Sequence, residues 1–153
     1  MNLIGQQHII PMIPPQDIGS GGISTDCITL AKYAHATIVI MTGTNTKGCT
    51  LTVEKCDTAV PGSAVAMAFN YRKMTTSDVW GALTAEDIAG FAIADGDDNA
   101  VFAIEIASAE LSSAYPFVRV TLSAPASGNN YYSALAILSD SRYGVDVPKS
   151  AIV

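Results

Sequence analysis

The stretch Ala36 to Asp57, ATIVIMTGTNTKGCTLTVEKCD, leaves the chain few folding choices. Isoleucine and valine fill the middle of Thr37 to Thr42, and the run is apolar apart from its terminal threonines. After the polar turn Gly43-Thr44-Asn45-Thr46-Lys47-Gly48 the chain returns as Thr50-Leu51-Thr52-Val53-Glu54, which alternates polar and apolar residues. An unbroken apolar run suits a strand buried on both faces, and an alternating run suits one with a wet face. Glycine and asparagine between them supply the left-handed backbone that a tight turn needs. The expectation is a β-hairpin, with its first strand at a central position in a sheet.

Strand signals continue on both sides of this pair. Ile23 to Tyr33 predicts a first strand, and Ala64 to Lys73 another after the Pro61-Gly62 turn. Val79 to Leu83 reads as a short strand with Trp80 as a core anchor. Thr84 to Asp87 resembles a helix-capping signal and predicts one helical turn, followed by a strand over Gly90 to Ala94. Asp95 to Asn99 reads as a second hairpin tip, with Val101 to Ile106 returning. A loop with a helical turn is expected over Ser108 to Ala114. Phe117 to Ser123 alternates most clearly, with Val118, Val120 and Leu122 inward and Arg119 and Thr121 outward. A hairpin loop from Ala124 to Asn130 then leads into Tyr131 to Leu138. About eight strands at short spacing predict an all-β protein, an antiparallel β-sandwich or jelly-roll-like domain.

The predicted sandwich covers residues 23–138. Residues 1–22 read as an extended N-terminal arm, because Pro11, Pro14 and Pro15 disfavour helix and Gly19-Ser20-Gly21-Gly22 makes a hinge. The arm is rich in large aliphatics, and Ile4, Ile9, Ile10, Met12 and Ile13 are its candidate partner-binding residues. They pack either on their own domain or on a neighbouring subunit, since apolar termini must be tied down somewhere. Because of the Pro-Gly-rich join before Ile23, deleting residues 1–22 is expected to leave a folded sandwich and weaken assembly. Residues 139–153 read as an extended C-terminal tail, where Pro148 bars a regular finish.

Composition narrows the function classes. Charged residues make up 14% of the 153, against roughly a quarter in soluble domains, while hydrophobic residues reach 49%. No apolar run approaches the roughly 20 residues of a spanning helix, and MNLIGQQHIIPMIPP lacks the basic start of a secretory signal. A surface covered by neighbours is the remaining account, and it points to an assembly. The net charge is −6, and the 8 lysines and arginines are scattered. A nucleic-acid binder would instead carry a basic stripe to neutralise phosphates. Cys27, Cys49 and Cys56 are expected to be free, buried thiols in a protein made in a reducing cytoplasm.

Candidate chemistry is sparse. Asp95, Asp97 and Asn99 have the one-three-five spacing of a calcium loop, but Ala100 stands where glycine is needed and Ile106 where a bidentate Glu belongs. A hairpin tip rich in Asp, Gly and Asn explains the same residues without a metal. His8 and His35 belong to no recognisable nucleophile motif. Glu54, Asp57, Glu105 and Glu110 could supply the paired carboxylates of a glycosidase, or could line solvated strand faces. Tyr131, Tyr132 and Tyr143 suggest an aromatic platform for sugar, although alternation puts Tyr131 and Tyr132 on opposite faces. These residues point to no enzyme, no cofactor and no metal.

Residues 115 to 153 combine the alternating strand YPFVRVTLS, a Gly-Asn loop, the alanine-rich strand YYSALAILS and the extended tail RYGVDVP. With the apolar N-terminal segment and the TIVIMTGTNTKGCTLTVEKCD pair, this pattern resembles the small structural proteins of tailed bacteriophages. The resemblance implies a virion protein without catalytic residues, most like a head decoration protein that cements the capsid from outside. It implies as partners the major capsid protein and further copies of the chain, as a homotrimer or homodimer. Neither nucleic acid nor membrane is an expected partner. Two alternatives stay open: another virion component, such as a tail tube, neck or head-fibre base protein, and a carbohydrate-binding or adhesion module.

Overall fold

The structure is a computed structural model that describes residues 7–74, 78–125 and 127–142. In chain order its strands are β1 (His8–Asp17), β2 (Ile23–Ser24), β3 (Ile28–Thr29), β4 (Tyr33–Asn45), β5 (Cys49–Cys56), β6 (Ala64–Met67), β7 (Phe69–Met74), β8 (Thr84–Glu86), β9 (Phe91–Ile93), β10 (Val101–Ala107), β11 (Phe117–Leu122) and β12 (Asn130–Ser141). One 3₁₀ turn, Ser108–Glu110, falls in the loop where a helical turn was expected.

The fold is all-β, as the alternation predicts, with more strands than the expected eight. Two antiparallel sheets stack into a sandwich. The first runs β1-β12-β4-β10-β7-β8, and the second runs β2-β11-β5-β6, with β3 also beside β11 and β9 also beside β5. Alternate residues of both sheets meet in one core: Ile38, Ile40, Ile104 and Leu138 from the first, Leu51, Val53, Val120 and Leu122 from the second. At one end an aromatic group bridges the sheets. Tyr71 stacks on Phe91 at 4.1 Å between ring centroids, and Phe69 and Phe102 lean in at 6.2 and 5.3 Å from Phe91.

The stretch 36–57 forms two strands, and the first is central, between β12 and β10. They do not form a hairpin. β4 belongs to the first sheet and β5 to the second, so the Gly43–Gly48 turn carries the chain across the sandwich. The loop after β9 and the loop after β11 do the same. The segment predicted as one strand over Ala64 to Lys73 also changes sheet, at Ala68 between β6 and β7. Each such strand buries one alternating face. A strand can therefore satisfy its pattern against either sheet, and the local sequence is silent on which.

β4 also corrects the expectation of burial on both faces. Ile38 and Ile40 are buried, whereas Val39 is half-buried and Met41 exposed. Ile23 to Tyr33 is not one strand but β2, β3 and the start of β4. Trp80 is no core anchor: it forms a single bridge to Met74 and is 40% exposed. Thr84 to Glu86 pairs with β7 as a strand in place of the predicted helical turn. Two glycines are demanded by close approach. A Cβ on Gly90, at φ +72°, would lie 1.9 Å from the Leu51 carbonyl oxygen, and one on Gly22, at φ +65°, would lie 2.6 Å from that of Leu122.

The largest correction concerns the N-terminal arm. Residues 8–17 are an edge strand of the first sheet, antiparallel to β12 from His8 opposite Leu138 to Asp17 opposite Tyr131. Ile10, Met12 and Ile13 sit in the chain's own core, so the own-domain alternative holds for them. Pro11, Pro14 and Pro15 are tolerated because an edge strand has one unpaired side and the ladder shifts register between Pro11 and Ile13 and again before Gln16. The boundary at residue 22 therefore separates no independent arm. At the other end, β12 continues to Ser141, the Arg142 backbone N–H donates to the Lys32 carbonyl, and residues 143–153 of the proposed tail lie outside the described residues.

Candidate interaction surface

The crossover end of the sandwich gathers most of the buried polar groups. Asn45 ends β4, where its side-chain amide donates to the Ala94 carbonyl at 2.6 Å and its backbone N–H to Asp98 at 2.7 Å. Its side-chain oxygen accepts from the Tyr132 hydroxyl at 3.0 Å, and that hydroxyl also meets the Cys49 thiol at 3.2 Å. Asn130 begins β12 and takes the backbone N–H groups of Thr46 and Lys47 at 2.9 and 3.1 Å. It returns a bond to the Lys47 carbonyl at 2.8 Å. These side chains hold the β4–β5 turn closed as backbone partners would, which is how buried polar groups are normally used. Burial pushes the Tyr132 phenol well above its usual range, and the Cys49 thiol beside it is raised for the same reason. Both stay neutral, so this cluster offers structure and no activated nucleophile.

The candidate calcium residues are drawn to separate partners. Asp97 pairs with Lys73 at 2.5 Å and accepts from the Ala94 N–H at 3.1 Å. Asp95 accepts from the Gly48 N–H and faces Lys47 at 3.7 Å. Asn99 turns the chain at φ +54°. Among the described residues, no group of three or more His, Cys, Asp or Glu is placed to hold a metal ion.

The carboxylates are dispersed in the same way. Glu54 pairs with Arg119 at 2.7 Å on the second sheet, and Glu105 pairs with His35 at 2.8 Å on the first. Glu110 caps the 3₁₀ turn through the Ala107 N–H at 3.0 Å, and Asp57 closes a loop through the Ser63 N–H at 3.1 Å. His8 contacts the Tyr33 hydroxyl at 3.2 Å, far from His35 in its role. The tyrosine platform reduces to Tyr131, 45% exposed, because Tyr132 is in the core and Tyr143 lies outside the described residues. Cys27, Cys49 and Cys56 are free and buried, as expected.

What the residues do assemble is a contrast between two outer faces. On the second sheet the outward rows are polar. Ser24 bonds Thr121 at 3.0 Å, Thr121 stands opposite Thr52, and Arg119 is opposite Glu54 and paired with it. On the first sheet the outward rows are largely apolar. Pro11 faces Leu135, Leu135 faces Val39, and Val39 faces Ala103. The next row runs Met41, Val101, Met74 and then the bridge to Trp80. On the other side Ile9 and Ile137 align with the polar residues Thr37, Glu105 and Asn70. A shallow groove of about 230 Å³ between Pro15, Met41 and Tyr131 opens onto the same face.

Of the candidate partner-binding residues, Ile9 lies on this outer face, 42% exposed. Ile10, Met12 and Ile13 do not, and Ile4 lies outside the described residues. The rest of the face was missed. Its signal was present in β4 and β12, whose outward positions carry Val39, Met41, Leu135 and Ile137 alongside Thr37, Ser133 and Ser139.

Fold and surface together define a two-sheet antiparallel sandwich with one wet outer face and one apolar outer face. No protein-family model matches the chain. No curated protein matches it. Among solved structures, the crystal structure of SPBc2 prophage-derived protein YomS is similar over 86% of this chain and 92% of that one, with 8% identity and a TM-score of 0.47. A likeness of that degree carries no role across. No helix among the described residues is long and apolar enough to cross a membrane.

Proposed function

We propose that this chain is a structural subunit of a tailed-phage virion, and within the virion a head decoration protein that binds the outer capsid surface and stabilises the shell. The observation that carries the reading is the apolar outer face of the first sheet. A monomer working alone in water would wet that face, as this chain wets its second sheet. The resemblance of residues 115–153 and of the 36–57 pair to phage structural proteins supplies the virion. The partners are the major capsid protein and further copies of the chain, in a homotrimer or homodimer. An acidic net charge of −6 suits the outside of a shell, where no DNA has to be held. The role requires no catalysis, cofactor, nucleic acid or membrane. The protein is made in the host cytoplasm and ends on the capsid.

The test adds purified protein to capsids that lack it. Binding is expected to saturate at a fixed copy number by mass per particle, and to raise the temperature at which the shells break. Failure to bind preformed capsids rejects the decoration role. A ring of six or twelve subunits in their absence assigns the chain to tail or neck instead.

A further inference from the structure

We infer that the outer face of the first sheet is the site where a second copy of this chain docks, sheet against sheet, about a twofold axis. The inference rests on the self-assembly part of the proposed function and needs no capsid.

The internal comparison is the first support. The same chain builds two outer faces of different composition. It spaces Thr, Ser, Glu and Arg along β5 and β11, whereas the outward positions of β4 and β12 set Val39, Met41, Leu135 and Ile137 among His35, Thr37, Ser133 and Ser139. Outward side chains on a strand are free of core packing, so their composition reports what they meet. The apolar share of the first face is what a partner would cover.

Area is the second. Five strands, β1, β12, β4, β10 and β7, contribute outward residues, and three paired rows of them are in register. With strands ~4.8 Å apart and same-face residues ~6.8 Å apart, the patch covers on the order of 500 Å². Two copies face to face would then bury on the order of 1,000 Å², the lower limit for a specific interface. Trp80, at the end of one row, adds an aromatic anchor of the kind that dominates such contacts.

Charge is the third. The chain carries −6, yet this face holds one carboxylate, Glu105, and one guanidinium, Arg72. Glu105 is held by His35 and by the Thr37 hydroxyl at 3.2 Å, and Arg72 donates to the Gly81 carbonyl at 3.0 Å. Two copies can therefore approach through this face without the repulsion that acidic surfaces would cause. A twofold contact must be self-complementary. An apolar stretch with balanced charges at one margin satisfies that, and sheets stack at a common spacing of about 10 Å.

The experiment is sedimentation of the purified full chain at about 50 µM, with Met41→Glu, Val39→Glu and Thr52→Glu variants. The wild type is expected at twice the single-chain mass or a larger even multiple. Met41→Glu and Val39→Glu are expected to weaken association by at least ~100-fold, since each places a charge at the centre of the contact. Thr52→Glu, on the wet face, should leave it unchanged. Met41 is 42% exposed, so Met41→Glu folds even if Val39→Glu does not, and circular dichroism checks both. A wild type at single-chain mass overturns the inference. So does a folded Met41→Glu that stays assembled, or a Thr52→Glu that falls apart. If the wild-type chain is monomeric alone and Met41→Glu loses capsid binding, the face belongs to the capsid and the second copy is rejected. A dimer that ignores capsids rejects the decoration role and leaves this inference standing.

Discussion

At the scale of single residues, adjacent positions in β12 do opposite work. Tyr132 is 1% exposed and its hydroxyl joins Asn45 to Cys49, so it ties the first sheet to the second. Tyr131 points outward and supports nothing in the core. Tyr132→Phe is expected to cost ~1–3 kcal/mol in urea unfolding, because the Asn45 oxygen is left buried without its donor. Tyr131→Phe should stay within about 0.5 kcal/mol, as exposed substitutions do. Cys56 sets a second expectation. Burial, reinforced by the neighbouring Cys27 thiol, pushes its pKa up to about 12 from the usual 9.0 of a free thiol. The folded state thus prefers the neutral thiol. Its contribution is complete below pH 9, and it is lost as the pH rises towards 12, because the unfolded thiol ionises first. Denaturant midpoints measured from pH 8 to pH 11 should fall, and Cys56→Ala should flatten part of that slope. The three thiols were legible in the sequence as buried. The Tyr132 network was not, since Asn45, Cys49 and Tyr132 become neighbours only when three strands converge.

At the scale of elements, β1 shows how a proline-rich terminus can be misread. Pro11, Pro14 and Pro15 exclude a helix, and that reading stands. They do not exclude an edge strand, where one side of the backbone pairs and the other needs no partner. The outcome expected for deletion of residues 1–22 therefore reverses. Removing β1 strips Ile10, Met12 and Ile13 from the core and bares the edge of β12, so the truncated chain should unfold or aggregate. Ile13→Ala alone should cost ~2–5 kcal/mol, while Ile9→Ala, on the outer face, should cost little stability. Thermal melts of the two variants separate these outcomes, and equal losses would contradict the placement of β1. The crossing turns teach the same lesson. Gly43–Gly48 looks like a hairpin turn because glycine and asparagine serve any sharp reversal. Nothing local distinguishes a reversal within a sheet from a passage between sheets.

At the scale of the whole molecule, the sandwich is asymmetric. Its core is conventional, with Ile, Leu and Val from both sheets and aromatic residues closing one end. Its outer faces differ in their apolar content, and the charged fraction of the chain is low at 14%. The missing polar residues are not thinned evenly over the surface. They are depleted from one sheet face and from exposed loop positions such as Val79, Leu83 and Ile88. The acidic excess lies elsewhere on the surface, consistent with a subunit that has one contact side and one solvent side.

By itself the sequence determined the class of fold and the strands at 37–42, 50–54, 101–106 and 117–123. Those properties follow from residue type and two-residue alternation, which act over a few neighbours. Only the tertiary structure decided that β4 and β5 lie in different sheets and that β1 is an edge strand. It alone placed Val39, Met41 and Leu135 on one outer face. Alternation says that a strand has two faces. Which face meets the core, and which faces outward, depends on pairings between residues far apart in the chain.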